Sequence, residues 1–203
     1  LFSNFCFLVI VLSIILPLIS VLFYFDFTKE FFLSEYLISI SFFTLYQSIL
    51  SAILTIMLGS LFAHLLVKHN YIYGARIIID SLSIMFVLPT IISVLGILSF
   101  YGDIINIYGL HGILIAHAIL NIPLVTRILI QSLDDISPNE KSLARQMGLS
   151  HLGFFFASEW PIIKKNIPSL FVLVSFICFV SFTPILILGG GPKYSTIEVV
   201  IYQ

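Results

Sequence analysis

Long apolar runs separated by short polar stretches constrain this chain more than any other feature of its sequence. The runs cover about residues 5–25, 37–67, 77–100, 112–131 and 167–188. Each is long enough to cross the hydrocarbon core of a bilayer as an α-helix, and only helices and closed barrels satisfy their backbone hydrogen bonds in lipid. The sequence therefore predicts an all-α, polytopic helical membrane protein with about five spans, surrounded by the lipid bilayer.

Composition excludes several other classes of protein. The chain is 60% hydrophobic and 9% charged, with a mean hydropathy of +1.15, whereas a soluble domain carries about a quarter charged residues. A net charge of −1 without a basic patch predicts no nucleic-acid partner. The 5 histidines and 2 cysteines show no ligand spacing, so we expect neither a metal site nor a disulfide.

The longest polar interruption, residues 137–166, is predicted to form two short helices joined at a glycine. Ser137 is a candidate N-cap, Pro138 suits the first helical position, and Glu140 completes a capping box. Gly148 supplies the left-handed residue that ends many helices. The first helix should therefore start and stop within this loop.

The second short helix is predicted over residues 152–158. Ser150 can cap its start, and Pro161 is expected to end or kink it. The first helix also has an apolar face, which would need a partner if it is exposed to water. That face consists of Leu143, Ala144 and Met147.

The spacing of this loop resembles the cytoplasmic signature loop of binding-protein-dependent ABC importer permeases. In that family a Glu-Ala-Ala triplet precedes a glycine, four residues after the second alanine, and a proline follows thirteen residues later. Ala144, Gly148 and Pro161 hold these places, whereas Ser142 and Leu143 depart from the first two residues of the triplet.

The resemblance implies that residues 137–166 are a coupling loop that docks into a cleft of an ATPase subunit. The coupling residues are then Ala144, Gly148, Glu159, Trp160 and Pro161. The alternative from the pattern alone is an amphipathic loop that lies on the lipid headgroups.

Three further segments, residues 109–136, 158–168 and 185–203, resemble a narrower family. They look like the permeases of thiamine and thiamine-diphosphate ABC importers, with similarity over about residues 86–203 and only shared hydropathy before that. Ferric-iron permeases have the same architecture and are close relatives, so ferric iron is the alternative substrate.

The resemblance also implies the assembly in which such a chain works. Residues 1–203 would be part of the first of two homologous permease halves and would lack that half's last span. The chain itself would be non-catalytic and hold no cofactor, because ATP is hydrolysed by a dimer of cytoplasmic ATPase subunits. A periplasmic substrate-binding protein, the second permease half and the bacterial inner membrane complete the expected surroundings.

The basic residues predict the orientation of the chain. Seven of the 9 lysines and arginines flank one side of the predicted spans, which places the N-terminus and residues 137–166 in the cytoplasm. The glycine-rich segment then lies at the periplasmic mouth and lacks the Gly-Lys-Ser/Thr ending of a phosphate loop. Its residues are Gly189, Gly190, Gly191 and Pro192.

Polar residues within the fourth run are candidates for the transport pathway. His117 and Asn121 share one helix face, and Pro123 follows within the same two turns. Polar groups at this depth usually face the bundle interior or a water-filled path. A simple hydrogen bond between helices is the alternative.

Small residues within the second run predict close helix packing. Thr55, Gly59 and Ala63 recur every four residues, a spacing that lets a neighbouring helix approach. Chance also produces such spacings in apolar sequences, so the pattern indicates packing and carries no function by itself.

Other functions remain possible at this stage. A secondary transporter or channel would need paired charges within its spans, and the runs offer mainly neutral polar groups. An intramembrane enzyme would need a catalytic motif such as HExxH, which is absent. A truncated, nonfunctional remnant is a further alternative, because neither the last span nor a second half is present in the sequence.

Overall fold

The structure is a computed structural model, and it covers most of the chain. It describes residues 35–68, 73–82, 84, 88–104 and 106–202, together with Ile15, Leu16 and Ile19. Apart from those three residues, the predicted first span lies outside the described part. The chain divides into two compact units, Leu1–Ile38 and Ser39–Gln203, and the contacts given below lie in the second.

The described residues are mainly helical, and no strand is present among them. Three helices, Glu35–Lys68, Leu110–Asp134 and His151–Phe179, are long and apolar enough to cross a membrane. This confirms the predicted all-α membrane protein. The helices are α1 (Glu35–Lys68), α2 (Tyr73–Ser81), α3 (Thr90–Tyr101), α4 (Leu110–Asp134), α5 (Pro138–Gln146), α6 (His151–Phe179), α7 (Thr183–Leu188) and α8 (Ile197–Tyr202).

Helix α1 buries small and polar side chains and exposes large apolar ones. Phe42 is 72% exposed and Met57 is 67% exposed. Lipid tails solvate such side chains as well as a protein core does, so a membrane helix gains little by burying them. Most of the buried positions are small or polar: Thr44, Gln47, Ser48, Ser51, Ala52, Thr55, Gly59 and Ala63.

The small-residue spacing on α1 brings it into close contact with α4. A Cβ atom built on Gly59 would lie 2.7 Å from Cγ1 of Val125, closer than real Cβ atoms approach other atoms. The Thr126 hydroxyl donates a hydrogen bond of 3.3 Å to the Gly59 carbonyl oxygen. The predicted close packing is therefore confirmed at Gly59, and Thr55 and Ala63 are also buried.

One group of buried apolar side chains joins α1, the later part of α4 and α6, and includes Ala63, Leu133 and Ile163. A second group joins α3, the start of α4, α7 and α8. This group fixes α7 and α8 against the start of α4. Its members are Val94, Ile97, Ile107, Ile113, Ala116, Ile185, Leu188 and Val199.

The predicted third span is not one helix. Residues 77–100 include the end of α2, the residues between the helices, and most of α3. Pro89 has no N–H group and disfavours helical geometry at Leu88. A helix that continued through this point would therefore lose a backbone hydrogen bond. The Pro89 carbonyl instead accepts the N–H groups of Ile92 and Ser93, at 3.0 and 3.3 Å, and α3 starts there.

The predicted fifth span, residues 167–188, also differs from the structure. Pro168 lies inside α6 instead of bracketing the span. Helix α6 ends at Phe179, and α7 begins at Thr183 with Pro184 in its first turn. Because Pro184 has no N–H to donate to the carbonyl four residues earlier, a continuous helix would lose a hydrogen bond at this point.

We expect Gly59→Ala to destabilise the chain, because the new methyl group would force α1 away from Val125 on α4. Overpacking of this kind costs about 1–3 kcal/mol. Thermal unfolding of the detergent-purified protein measures the change. Gly96→Ala on α3 is the matched control, since nothing lies within 4 Å of its Cβ position. Equal stability of the two variants would contradict the close approach of α1 and α4.

Candidate functional site

A buried polar cluster joins the three long helices. The Ser51 hydroxyl of α1 lies 3.0 Å from Nδ1 of His117 on α4. Asn121 Nδ2 donates to the His117 carbonyl oxygen at 2.8 Å and lies 3.6 Å from the Cys178 sulfur on α6. Gln47 Nε2 donates to the Cys178 carbonyl oxygen at 3.1 Å. His117 and Asn121 therefore come together as predicted, and Cys178 is a free, buried cysteine.

A cavity of 480 Å³ lies beside this cluster. His117 and Asn121 form part of its wall, whereas Pro123 is buried inside α4 and is not among its lining residues. The described lining residues include no lysine, arginine, aspartate or glutamate. The lining residues are Leu88, Thr90, His117, Leu120, Asn121, Leu124, Ile177, Val180, Ser181, Phe182, Thr183 and Pro184.

His117 has one ring nitrogen engaged and one without a partner. The side chain is 1% exposed, and its Nδ1 faces Ser51. Its Nε2 is buried and has no hydrogen-bond partner among the residues that the structure describes. Buried polar atoms are nearly always hydrogen-bonded, so an unpartnered nitrogen on a residue that lines a cavity requires an explanation.

The break between α6 and α7 supplies another part of the cavity wall. Val180, Ser181 and Phe182 follow the end of α6, and Thr183 and Pro184 open α7. The sequence placed these residues inside a continuous fifth span, so their role in the cavity was missed. Pro184 was the available signal, because a proline in an apolar run marks a position where a helix loses a hydrogen bond.

The start of the predicted coupling loop agrees with the structure. The Glu140 N–H donates to the Ser137 hydroxyl at 3.2 Å, and α5 follows. Gly148 has a φ of 69°, in the left-handed region. The Leu149 N–H donates to the Ala144 carbonyl at 3.0 Å, which is the Schellman arrangement that closes a helix end.

The apolar face predicted for the first loop helix is only partly exposed. Leu143 is 57% exposed and Met147 is 76% exposed, whereas Ala144 is 8% exposed. On α6, Leu152 and Phe156 add further exposed apolar surface, at 72% and 63%.

The second short helix of the loop does not end where the sequence predicted. Ser150 caps it as expected, with its hydroxyl accepting the Gly153 N–H at 3.1 Å. The helix then continues through a π turn, Phe155–Glu159, and through Pro161 into the rest of α6. A π turn already interrupts the regular hydrogen-bond ladder, so the missing N–H of Pro161 costs little at this position.

Glu159 has a partner that the sequence did not reveal. Its Oε2 lies 2.5 Å from Nδ1 of His64 on α1, and the two side chains are 8% and 25% exposed. The His64 ring packs edge-on against Phe155, with centroids 4.8 Å apart. Trp160 is 39% exposed and lies 6.1 Å from the Phe155 ring. These contacts join the start of α6 to α1.

The glycine-rich segment packs against the turn that precedes α4. Gly190 and Gly191 have φ values of 70° and 133°, so both adopt conformations that favour glycine. The Gly109 N–H donates to the Leu188 carbonyl at 2.7 Å, which holds the turn next to the end of α7. Gly189 is buried, and Pro192 opens a 3₁₀ turn, Pro192–Tyr194. The Cβ position of Gly190 would lie 3.2 Å from Cβ of Tyr108 in that turn, whereas nothing lies within 4 Å of the Cβ position of Gly191.

The described residues contain no group of three or more histidine, cysteine, aspartate or glutamate side chains that could hold a metal ion. The polar cluster consists of amide, hydroxyl, imidazole and thiol groups. Such groups can orient and hydrogen-bond a small molecule, and they hold the three long helices together.

Comparison with known proteins identifies similar chains. Thiamine transport system permease proteins from Haemophilus influenzae, Escherichia coli and Brucella abortus are 36%, 35% and 34% identical over 190, 176 and 183 residues. These alignments cover 86%, 79% and 83% of this chain and 35%, 33% and 34% of the relatives. The chain thus spans about a third of the length of the curated relatives it matches. No family model matches the chain.

The chain therefore belongs to the family of thiamine transport system permease proteins, which confirms the predicted resemblance, but the extent of that resemblance was underestimated. The aligned lengths exceed residues 86–203, so the similarity includes part of the chain before residue 86. The idea that these earlier residues share only hydropathy with the family is wrong. Apolar residues replace one another easily in membrane spans, so short motifs do not reveal the similarity of this region to the family.

We expect His64→Ala to destabilise the protein, because it leaves the Glu159 carboxylate buried without its partner. An unsatisfied buried group of this kind costs about 1–3 kcal/mol or more. Thermal unfolding in detergent measures the loss. His151→Ala, at an exposed histidine in the first turn of α6, is the matched control.

A double-mutant cycle separates the His64–Glu159 contact from other effects of the substitution. Combining His64→Ala with Glu159→Ala should restore part of the lost stability, because the unpaired carboxylate is then gone. Strictly additive losses would show that the two side chains do not depend on each other.

Proposed function

We propose that this chain is part of the permease of a binding-protein-dependent ABC importer that carries thiamine or its phosphates across the bacterial inner membrane. The observation that supports this most strongly is 34–36% identity to thiamine transport system permease proteins over about four-fifths of the chain. The three long apolar helices fit such a role. A ferric-iron importer is not favoured, because the similar proteins reported above are thiamine permeases.

The chain would supply part of the first of two homologous permease halves, with the second half completing the pathway. In that assembly a periplasmic binding protein delivers the substrate, and two cytoplasmic ATPase subunits bind and hydrolyse ATP. The permease would then be non-catalytic and would convert motion of the ATPases into alternating access. Residues 137–166 and the N-terminus would face the cytoplasm, and residues 189–192 the periplasm.

The shape of the coupling loop supports a contact with the ATPase. Leu143 and Met147 expose apolar surface on α5, which is suited to a cleft on a partner protein. Ala144 and Gly148 hold the loop in one conformation through the Schellman hydrogen bond. The segment therefore presents a rigid apolar surface for a partner protein.

The continuity of α6 suggests how a movement of the loop would be transmitted to the cavity. The same helix that begins at the Ser150 cap ends at the wall of the cavity. Glu159 and Trp160 lie on its first turns, where Glu159 bonds to His64 of α1. A displacement of the loop would therefore tilt α6 as a unit about its contact with α1. Pro161 would sit within this moving segment.

The position of His117 and Asn121 supports a place for them on the substrate path. Both line the cavity, and both also make hydrogen bonds inside the helix bundle. Pro123 lies beyond the cavity wall and would act indirectly, because its missing N–H weakens α4 near these side chains.

The substrate is tested with the complete transporter, meaning both permease halves with the ATPase dimer, reconstituted in liposomes with its binding protein. We expect ATP-dependent accumulation of radiolabelled thiamine and no accumulation of ferric iron under the same conditions. Iron uptake without thiamine uptake would contradict this proposal and identify ferric iron as the substrate. Absence of any uptake by an assembled, ATP-hydrolysing complex would favour a nonfunctional protein.

The coupling contact is tested by Gly148→Val in the same complex. Placing a residue with a Cβ atom in the left-handed region costs about 1–2 kcal/mol of conformational energy. Valine is especially unfavourable there because its side chain is branched at Cβ. We expect loss of ATPase co-purification or of substrate-stimulated ATP hydrolysis. Gly148→Asn is the matched control, because asparagine tolerates this backbone conformation.

Binding of thiamine to the isolated periplasmic protein should be the same for both Gly148 variants, because that step does not involve the permease. If Gly148→Val retains both the ATPase subunit and stimulated hydrolysis, the loop is an interfacial segment without a coupling role.

A further inference from the structure

We infer that the cavity beside His117 is a binding subsite for a flat nitrogen heterocycle, such as the aminopyrimidine ring of thiamine, with His117 Nε2 as its polar anchor. The inference rests on the proposed function for the identity of the substrate. The choice of a ring follows from the cavity, its lining and the orphan nitrogen.

The first step concerns the imidazole of His117. Its Nδ1 is 3.0 Å from the Ser51 hydroxyl, and its buried Nε2 has no partner in the described part of the chain. If Ser51 donates to Nδ1, Nε2 carries the proton and is a donor. If Ser51 accepts, Nε2 is an acceptor. An aminopyrimidine presents a ring nitrogen acceptor beside an amino donor, so it can bond to either tautomer.

The second step concerns the size and lining of the cavity. Its volume of 480 Å³ falls within the range of about 300–1,000 Å³ that is usual for small-molecule sites. Asn121 offers an amide, and Ser181 and Thr183 offer hydroxyl groups. Phe182 adds an aromatic side chain to the wall, and its ring is fixed by an edge-on contact with Tyr202 at 5.1 Å. Aromatic side chains favour flat rings, including cationic ones.

The third step concerns what the cavity disfavours. No lysine or arginine is among its described lining residues, and phosphate groups are normally bound by such charged donors. No aspartate or glutamate lines it either, and a hard metal ion would need oxygen ligands of that type. The cavity therefore fits the ring of the substrate, and a phosphate tail would extend outside it.

The test uses the purified permease–ATPase complex in detergent, without the binding protein, and measures equilibrium binding of radiolabelled thiamine. We expect His117→Phe to weaken binding about tenfold, since it removes the hydrogen bond and keeps a flat ring. His117→Gln, which keeps a donor and an acceptor, should retain most of the affinity. His111→Phe is the matched control, because His111 is an exposed histidine of the same helix outside the cavity.

Competition identifies the part of the substrate that is bound. The isolated aminopyrimidine fragment of thiamine should displace the label, and inorganic diphosphate should not. Equal affinity of wild type and His117→Phe would overturn the inference. Displacement by diphosphate as strong as that by the pyrimidine fragment would also overturn it.

A second measurement covers the case in which His117→Phe fails to assemble. Ser181→Cys places a thiol in the cavity wall, and thiamine should slow its reaction with a small thiol reagent. Leu186→Cys, on the exposed side of α7 and outside the lining, should react at the same rate with and without thiamine. The wild-type protein, with buried Cys178, gives the background rate.

These outcomes separate the subsite from the proposed function. If the wild-type transporter imports thiamine but thiamine does not protect Ser181→Cys, the subsite is wrong and the function stands. If the wild type neither imports nor binds thiamine, both proposals are overturned.

Discussion

Lipid supplies no hydrogen bonds, so each polar group on a membrane helix needs a partner within the protein. In this chain the requirement determines which face of each long helix points into the bundle. Gln47 and Ser51 of α1, His117 and Asn121 of α4 and Cys178 of α6 meet in one buried cluster. Turning any of these helices would expose its polar groups to lipid, so the cluster fixes their rotation.

A substitution that overpacks the contact between α1 and α4 is expected to cost more stability than the loss of one average hydrogen bond between membrane helices. Interhelical hydrogen bonds in membranes average about 0.6 kcal/mol each, because unfolded segments also find partners. Overpacking a single contact costs about 1–3 kcal/mol. The approach of Gly59 to Val125 is therefore the more sensitive feature. The polar cluster determines which faces meet, and the small residues determine how closely they meet.

Local features of the sequence predicted local structure well. The cap at Ser137, the left-handed turn at Gly148 and the cap at Ser150 depend on neighbours within a few residues, and all three are present. Features that depend on distant residues were missed. Hydropathy does not distinguish one continuous span from α6 followed by a break, and the partner of Glu159 lies on another helix, at His64.

Helix α6 joins the loop of residues 137–166 to the cavity, and its contact with α1 divides the helix into two parts of unequal length. From His151 to Glu159 the helix is about 12 Å long, and from Glu159 to Phe179 about 30 Å. If α6 tilts as a stiff rod about the His64 contact, that contact is a fulcrum between a short arm and a long one. A small displacement at the loop then produces one about 2.5 times larger, in the opposite direction, at the cavity.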